Sequence, residues 1–279
     1  MPDKDAYASC AQQVRSHYEN FPVASLLLPR RLRRPITAIY AFARSADDIA
    51  DEGDLTDTTR LALLDDYRRR LDALQRGVPP DALLFEALAD TIRTHALPLE
   101  PFYDLLAAFR QDVTKKRYAD FSEVLDYCRL SANPVGRLLL RLFRHDSRAN
   151  IELADDVCTG LQLTNFLQDL QVDFHRGRIY LAQDALRDHG VTEDHLRLRR
   201  HDRAWQSLVA QEIERARAYL VRGSRLGAHL PGRIGLEIRL TINGGLTILD
   251  KLQCNNISGF SGGTRLTPWD WITILWRSR

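Results

Sequence analysis

The chain is poor in cysteine: 279 residues hold four, Cys10, Cys128, Cys158 and Cys254, each standing alone. No Cys-x-x-Cys or Cys/His spacing occurs, so neither a zinc site nor a disulfide framework is predicted. Reduced thiols and a cytoplasmic location are the expectation. No apolar run approaches the length a membrane-spanning helix needs. The opening Met-Pro-Asp-Lys-Asp is polar and has no apolar stretch behind it, unlike a signal peptide. An excess of one charge is also missing. The 39 basic and 37 acidic residues leave +2, which gives no reason to expect nucleic acid. No Gly-x-Gly-x-x-Gly follows a strand, no short repeat recurs, and no Ser-His-Asp or Cys-His set emerges from spacing. Most of the eight histidines fall near helix ends or in charged runs, as surface histidines do.

What remains is a helical sequence. Apolar residues recur at three and four rather than at two. Helices are predicted near 34–53, 56–76, 80–95, 98–115, 119–143, 147–174, 200–226, 231–256 and 267–277. Breaks fall at Pro29, Pro35, Pro79-Pro80, Pro98, Pro101, Pro231 and the Gly259–Gly263 loop. With 44% hydrophobic residues and no low-complexity linker, the expectation is one all-α domain over 1–279, a helical bundle with a central cavity suited to a ligand or metal. The terminal Trp269-Asp270-Trp271-Ile272-Thr273-Ile274-Leu275-Trp276 is too short to span a bilayer. It reads as a last core helix, with a membrane-surface role as the second option.

Two aspartate pairs carry the chemistry. Asp47 and Asp51, and Asp169 and Asp173, are each spaced four apart, which on a helix places like charges on one face. At about 100° per residue, Tyr40, Arg44, Asp47 and Asp51 share one stripe. Asp48 lies at its edge, and Glu52 and Asp54 point elsewhere, toward solvent. Gln162, Asn165, Asp169 and Asp173 share another stripe, set among Leu161, Leu163, Phe166, Leu167 and Leu170. For the first pair a solvated face is the plain alternative. For the second it is weaker, because a carboxylate in an apolar setting needs a metal or hydrogen bonds. Oxygen donors in this number suit Mg²⁺ shared with phosphate oxygens. Arg176-Gly177-Arg178-Ile179-Tyr180 follows, with cations placed to meet an outer phosphate.

These residues resemble the squalene and phytoene synthase family over nearly the whole chain. The resemblance runs from His17-Tyr18-Glu19-Asn20-Phe21-Pro22 through Tyr40-Ala41-Phe42-Ala43-Arg44-Ser45-Ala46-Asp47-Asp48-Ile49-Ala50-Asp51 and Tyr127-Cys128-Arg129-Leu130-Ser131. It is strongest in Gln162-Leu163-Thr164-Asn165-Phe166-Leu167-Gln168-Asp169 and Arg176-Gly177-Arg178-Ile179-Tyr180. Within the family the hydroxysqualene synthase branch of bacterial hopanoid synthesis is the most similar. Phytoene and dehydrosqualene synthases usually have Ala-Gly where this chain has Asn133-Pro134, and Arg where it has Gln168.

The resemblance implies an isoprenoid-synthase fold and Mg²⁺. It also implies ionisation of presqualene diphosphate, rearrangement of the cation and capture by water to give hydroxysqualene. By matched position, Asp47, Asp51, Asn165, Asp169 and Asp173 would hold the metal. Arg44, Gln162, Arg178, His17, Asn20 and Tyr180 would bind substrate, with Tyr127 as a catalytic residue that lines the phosphate end or orients the substrate. Phe21, Leu138, Leu163 and Phe166 would line a prenyl channel, with core packing as the plain alternative. Two other readings stand beside this one. One is a head-to-head transferase making squalene, dehydrosqualene or phytoene from farnesyl diphosphate or other prenyl diphosphates. The other is a non-catalytic family member acting in binding or assembly. Greasy substrates also imply transient contact with the inner face of the membrane, and hand-over from a presqualene diphosphate synthase.

Overall fold

The computed structural model describes residues 4–15, 28–254 and 264–278; His17, Asn20 and Phe21 lie outside them. In chain order the helices are α1 Lys4–Arg15, α2 Arg30–Asp51, α3 Asp57–Gln75, α4 Leu83–His95, α5 Glu100–Thr114, α6 Phe121–Ser131, α7 Asn133–Phe143 and α8 Arg148–Gln168. They continue as α9 Leu170–His175, α10 Gln183–Asp188, α11 Glu193–Arg197, α12 Arg203–Gly223, α13 Leu226–His229, α14 Gly232–Cys254 and α15 Pro268–Arg277. No strand occurs among the described residues, as the helical periodicity requires. The chain divides into two compact units, Met1–Thr114 with Arg137–Ser147, and Lys115–Gly136 with Arg148–Arg279.

In the first unit an aromatic core anchors α2. Phe42, fully buried, meets Phe102 at 5.4 Å and 88° and Phe85 at 6.1 Å and 90°, edge-to-face geometries that favour aromatic pairs. Ala38, Ala41, Ala46 and Ile39 complete the buried face of α2. Pro35 does not break this helix as predicted. α2 starts at Arg30, directly after Pro29, and carries Pro35 inside it. The far end is closed by Arg60 of α3, whose guanidinium donates to the carbonyls of Ile49 (2.7 Å), Glu52 (3.0 Å) and Gly53 (2.7 Å). A cation on these terminal carbonyls satisfies acceptors the helix leaves open and offsets its dipole.

In the second unit α8 and α12 approach closely at two glycines. A Cβ on Gly160 would stand 2.8 Å from Leu220 Cγ, and one on Gly223 would stand 2.8 Å from both the Leu153 carbonyl oxygen and the Val157 nitrogen. This crossing fixes α8, which carries half of the predicted site.

Two predicted helices are divided. The one expected over 119–143 ends at Ser131 and restarts at Asn133, because Pro134 has no N–H to bond the preceding turn and disfavours helical geometry in the residue before it. The one expected over 147–174 is interrupted at Asp169, at φ −104° and ψ 14°, with α9 following. Neither proline nor glycine marks that point. Hydrogen bonds of helical spacing run on both sides of it, from Asp169 N–H to the Asn165 carbonyl (2.9 Å) and from Asp173 N–H to the Asp169 carbonyl (2.8 Å).

α15 departs furthest from expectation. It was predicted as a last core helix, yet Ile274 is the one side chain between Pro268 and Arg277 that is buried, while Trp269 and Trp276 are 79% and 72% exposed. The helix is held by α14 instead. Lys251 donates to Asp270 at 2.5 Å, and Asp270 and Thr267 form a capping box at its start.

Candidate active site

On α2 the acids gather around one cation. Arg44 Nε lies 2.8 Å from Asp48, Nη1 3.4 Å from Asp47 and Nη2 2.9 Å from Glu52. Glu52, predicted to point away into solvent, is therefore part of this group. The helix has ended by then, and the extended backbone at Glu52 (φ −106°, ψ 154°) releases its side chain from the wheel. Burial, and then the Asp51 carboxylate, push the Asp47 carboxyl up to about 7 against the pull of Arg44, and Asp112 and Asp48 raise it further. Asp112, buried on α5, is a member of this acidic set that periodicity did not reveal.

Asp47 nevertheless keeps 31% of its side chain accessible. The carboxyl thus meets solvent on one side and surroundings that disfavour its charge on the other. A hard divalent cation is the partner such oxygens suit. Among the described residues no three His, Cys, Asp or Glu side chains converge as a metal cage. Carboxylate and amide oxygens are donors of the kind a hard divalent cation such as Mg²⁺ takes, with water and phosphate oxygens completing its shell.

On α8, Gln162 is half-buried, Asn165 is exposed, and Asp169 stands exposed at the break after the helix. Although the side chain reaches solvent, protein atoms crowd its carboxyl and partly desolvate it, which holds it above the usual carboxylate range, and Arg176 and Arg265 pull it back down. Arg176 was expected here; Arg265 was not. It follows the glycine-rich stretch, where no periodicity points to a site. Its neighbour Thr264 accepts a 2.6 Å hydrogen bond from the buried Gln168 amide. Gln168 thus ties the segment carrying Arg265 to the end of α8.

Past α9, Gly177 turns the chain at φ 78°, a left-handed conformation that glycine adopts without strain. Arg117 holds this turn by donating to the Gly177 carbonyl at 2.6 Å while pairing with Glu193 at 2.7 Å. Arg178 is buried, 3.9 Å from Asp173, with its backbone N–H on the Asp173 carbonyl at 2.8 Å. The following residues pair with 116–119, through Ile179 N–H to Lys116 (3.1 Å) and Gln183 N–H to Tyr118 (2.9 Å). This places Tyr180 in an aromatic group: it stacks on Phe166 at 4.0 Å and 7°, and lies 5.3 Å from Tyr127 and 5.6 Å from Tyr118. Tyr118 is the member the sequence did not single out. Leu138 and Leu163, named with Phe166 as channel candidates, are buried.

The second unit thus brings Gln162, Asn165, Asp169, Asp173 and Arg178 onto consecutive elements, and the first brings Arg44, Asp47 and Asp51 onto one helix end. The model of the family described as squalene/phytoene synthase matches residues 14–270. The chain belongs to the squalene/phytoene synthase family. It is 40% identical over 224 residues to the hydroxysqualene synthase of Rhodopseudomonas palustris, covering 79% of this chain and 74% of that protein. It is 29% identical to the chloroplast phytoene synthase 1 of Arabidopsis thaliana, covering 92% of this chain and 62% of that protein's length. Among solved structures, the squalene synthase HpnC from Alicyclobacillus acidocaldarius superimposes with a TM-score of 0.84 at 38% identity, covering 91% of this chain and 95% of that one. The isoprenoid-synthase fold expected from the sequence is the fold observed. No helix among the described residues is long and apolar enough to cross a membrane.

Proposed function

We propose that this family member ionises presqualene diphosphate with Mg²⁺ and captures the rearranged cation with water, giving hydroxysqualene and diphosphate. The observation that carries the reading is the accessible, charge-disfavouring position of Asp47 beside Asp51, in a chain 40% identical to a hydroxysqualene synthase. In this reading the carboxylates of Asp47, Asp51, Asp169 and Asp173 and the amide oxygen of Asn165 hold Mg²⁺. When bound, Mg²⁺ stabilises the charge that develops on the leaving diphosphate. Arg44 and Arg178 donate charge-assisted hydrogen bonds to diphosphate oxygens, and the Gln162 amide adds neutral ones. Tyr127, Tyr180 and Phe166 present aromatic faces that attract a cation without bonding to it. His17 and Asn20 join the substrate-binding set through the resemblance. One family model running across 14–270 supports a single synthase domain over 1–279.

Presqualene diphosphate and, separately, farnesyl diphosphate, each with Mg²⁺ and no NADPH, test this. Hydroxysqualene from the first and nothing from the second is expected. A hydrocarbon from farnesyl diphosphate alone would establish the head-to-head reading instead, which the phytoene synthase likeness favours. Unchanged turnover in Asp169→Ala would establish a binding role without chemistry.

The open face of α15 supports contact with the inner face of a membrane. At about 100° per residue, Trp269, Ile272, Leu275 and Trp276 fall within an arc of roughly 120°. All four are exposed, and Arg265 and Arg277 flank them. Tryptophan and arginine are residues that settle at a bilayer interface. Such contact fits hand-over of a greasy substrate from a presqualene diphosphate synthase.

A further inference from the structure

Glu212, on α12, is a buried carboxyl that the proposed ionisation does not use. It opens on a small cavity walled by Val124, Leu163, Phe166, Leu167 and Tyr180. The space holds about one water molecule. Apart from the Tyr180 hydroxyl and Glu212, these walls are apolar. Arg215 Nη1 donates to Glu212 Oε1 at 2.6 Å, and the Arg215 guanidinium lies 4.3 Å from the Phe121 ring centre. The Gln211 amide also hydrogen-bonds this carboxyl, and His189 lies near; a carboxylate offers about four acceptor positions, so these contacts do not exhaust it. Burial holds the Glu212 carboxyl above the usual range, with Arg215 opposing, which suits a group that must accept a proton.

The position is as telling as the chemistry. Phe166 is the residue next to Asn165 on α8, and Tyr180 lies two residues past Arg178. Phe166 and Tyr180 wall the cavity as a stacked pair, and the segments that carry them also carry Asn165 and Arg178, two of the residues proposed to hold the leaving diphosphate. A fold needs no acid at such a place, because an apolar residue of similar size often serves a buried ion pair's position equally well.

We propose that Glu212 is the catalytic residue that holds the capturing water and takes its proton; this rests on the hydroxysqualene reading above. A lone pair of the water oxygen forms the C–O bond to the cationic carbon. One O–H bond breaks, its electron pair stays on oxygen, and the proton passes to the Glu212 carboxylate. The products are a neutral alcohol and a protonated Glu212, which returns the proton to solvent. A cavity for a single water limits the cation to one nucleophile.

Wild type, Glu212→Gln and Arg215→Gln are each given presqualene diphosphate with Mg²⁺ in ¹⁸O-water, and the products are resolved by mass spectrometry. Wild type is expected to give ¹⁸O-labelled alcohol. In Glu212→Gln the alcohol share of total product falls at least tenfold, replaced by hydrocarbon from proton loss. Arg215→Gln breaks the same ion pair but leaves the carboxylate, and the alcohol remains its main product. An unchanged alcohol share in Glu212→Gln, or an equal loss in both variants, overturns the role of Glu212 while leaving the hydroxysqualene reading standing. Absence of labelled alcohol in wild type overturns both. Should Glu212→Gln not fold, Glu212→Asp, which withdraws the carboxylate by one methylene, is expected to give an intermediate alcohol share, and a wild-type share would refute the role.

Discussion

Gly223→Ala poses two helix rules against each other, and the α8–α12 crossing decides between them. Alanine is favoured over glycine by about 1 kcal/mol in a helix interior, and by at most that at Gly223, the last residue of α12, so on propensity alone the change stabilises. Here the new Cβ would sit 2.6 Å from Val157 Cγ2 and 2.8 Å from the Leu153 carbonyl oxygen and the Val157 nitrogen, whereas ordinary contact begins at 3.4 Å. A side chain can rotate away, but two backbone atoms of α8 cannot. The helices must part by about half an ångström, against packing that resists such strain by typically 1–3 kcal/mol. Set against the propensity gain, the net runs from about zero to about 2 kcal/mol of destabilisation, a fall in Tm of up to roughly 8 °C for a chain of this size. Because α8 carries Gln162 and Asn165, kcat/KM should fall as well. Thermal unfolding followed by circular dichroism reads the first effect and steady-state kinetics the second. A rise in Tm would refute the close crossing outright.

Removing the cation that follows the glycine loop, in Arg265→Ala, should raise the Asp169 carboxyl further above the usual range and lower kcat/KM several-fold; unchanged kinetics would place Arg265 outside the site. His95 is held below its ordinary pKa by burial and by Arg144 and Arg31. Its unfolded form therefore binds the proton more readily, and stability drops as pH falls from about 6.5 through the lower folded value. His95→Asn should flatten the Tm profile in that window, and an identical profile would dismiss the effect. Trp269→Ser with Trp276→Ser should abolish co-sedimentation with anionic liposomes; equal binding by the double variant would separate α15 from the membrane.

The residues on α2 were legible because a straight helix obeys its wheel: Arg44, Asp47 and Asp48 fall together as the period dictates. Glu52 was misread for the complementary reason, since the wheel fails one residue past a helix end. Asp169 shows another limit. The apolar period runs through Leu167 and Leu170 without interruption, so nothing local marks a single residue leaving helical geometry. Arg265, Asp112, Tyr118 and Glu212 reach their places through tertiary packing, which single-sequence periodicity does not encode. α15 was taken for core because its composition is apolar. Hydrophobicity measures the tendency to leave water, and the destination of the exposed tryptophans is a separate matter.

The acids of α2 cluster at its C-terminal end, where the helix dipole is already negative and no basic residue occupies the last turn. Asp47, whose charge its surroundings disfavour, weakens the empty protein. A selection for heat resistance alone would therefore favour an amide at Asp47, and would return robust proteins stripped of their chemistry. Engineering this enzyme for durability must leave the end of that helix alone and look for its gains elsewhere.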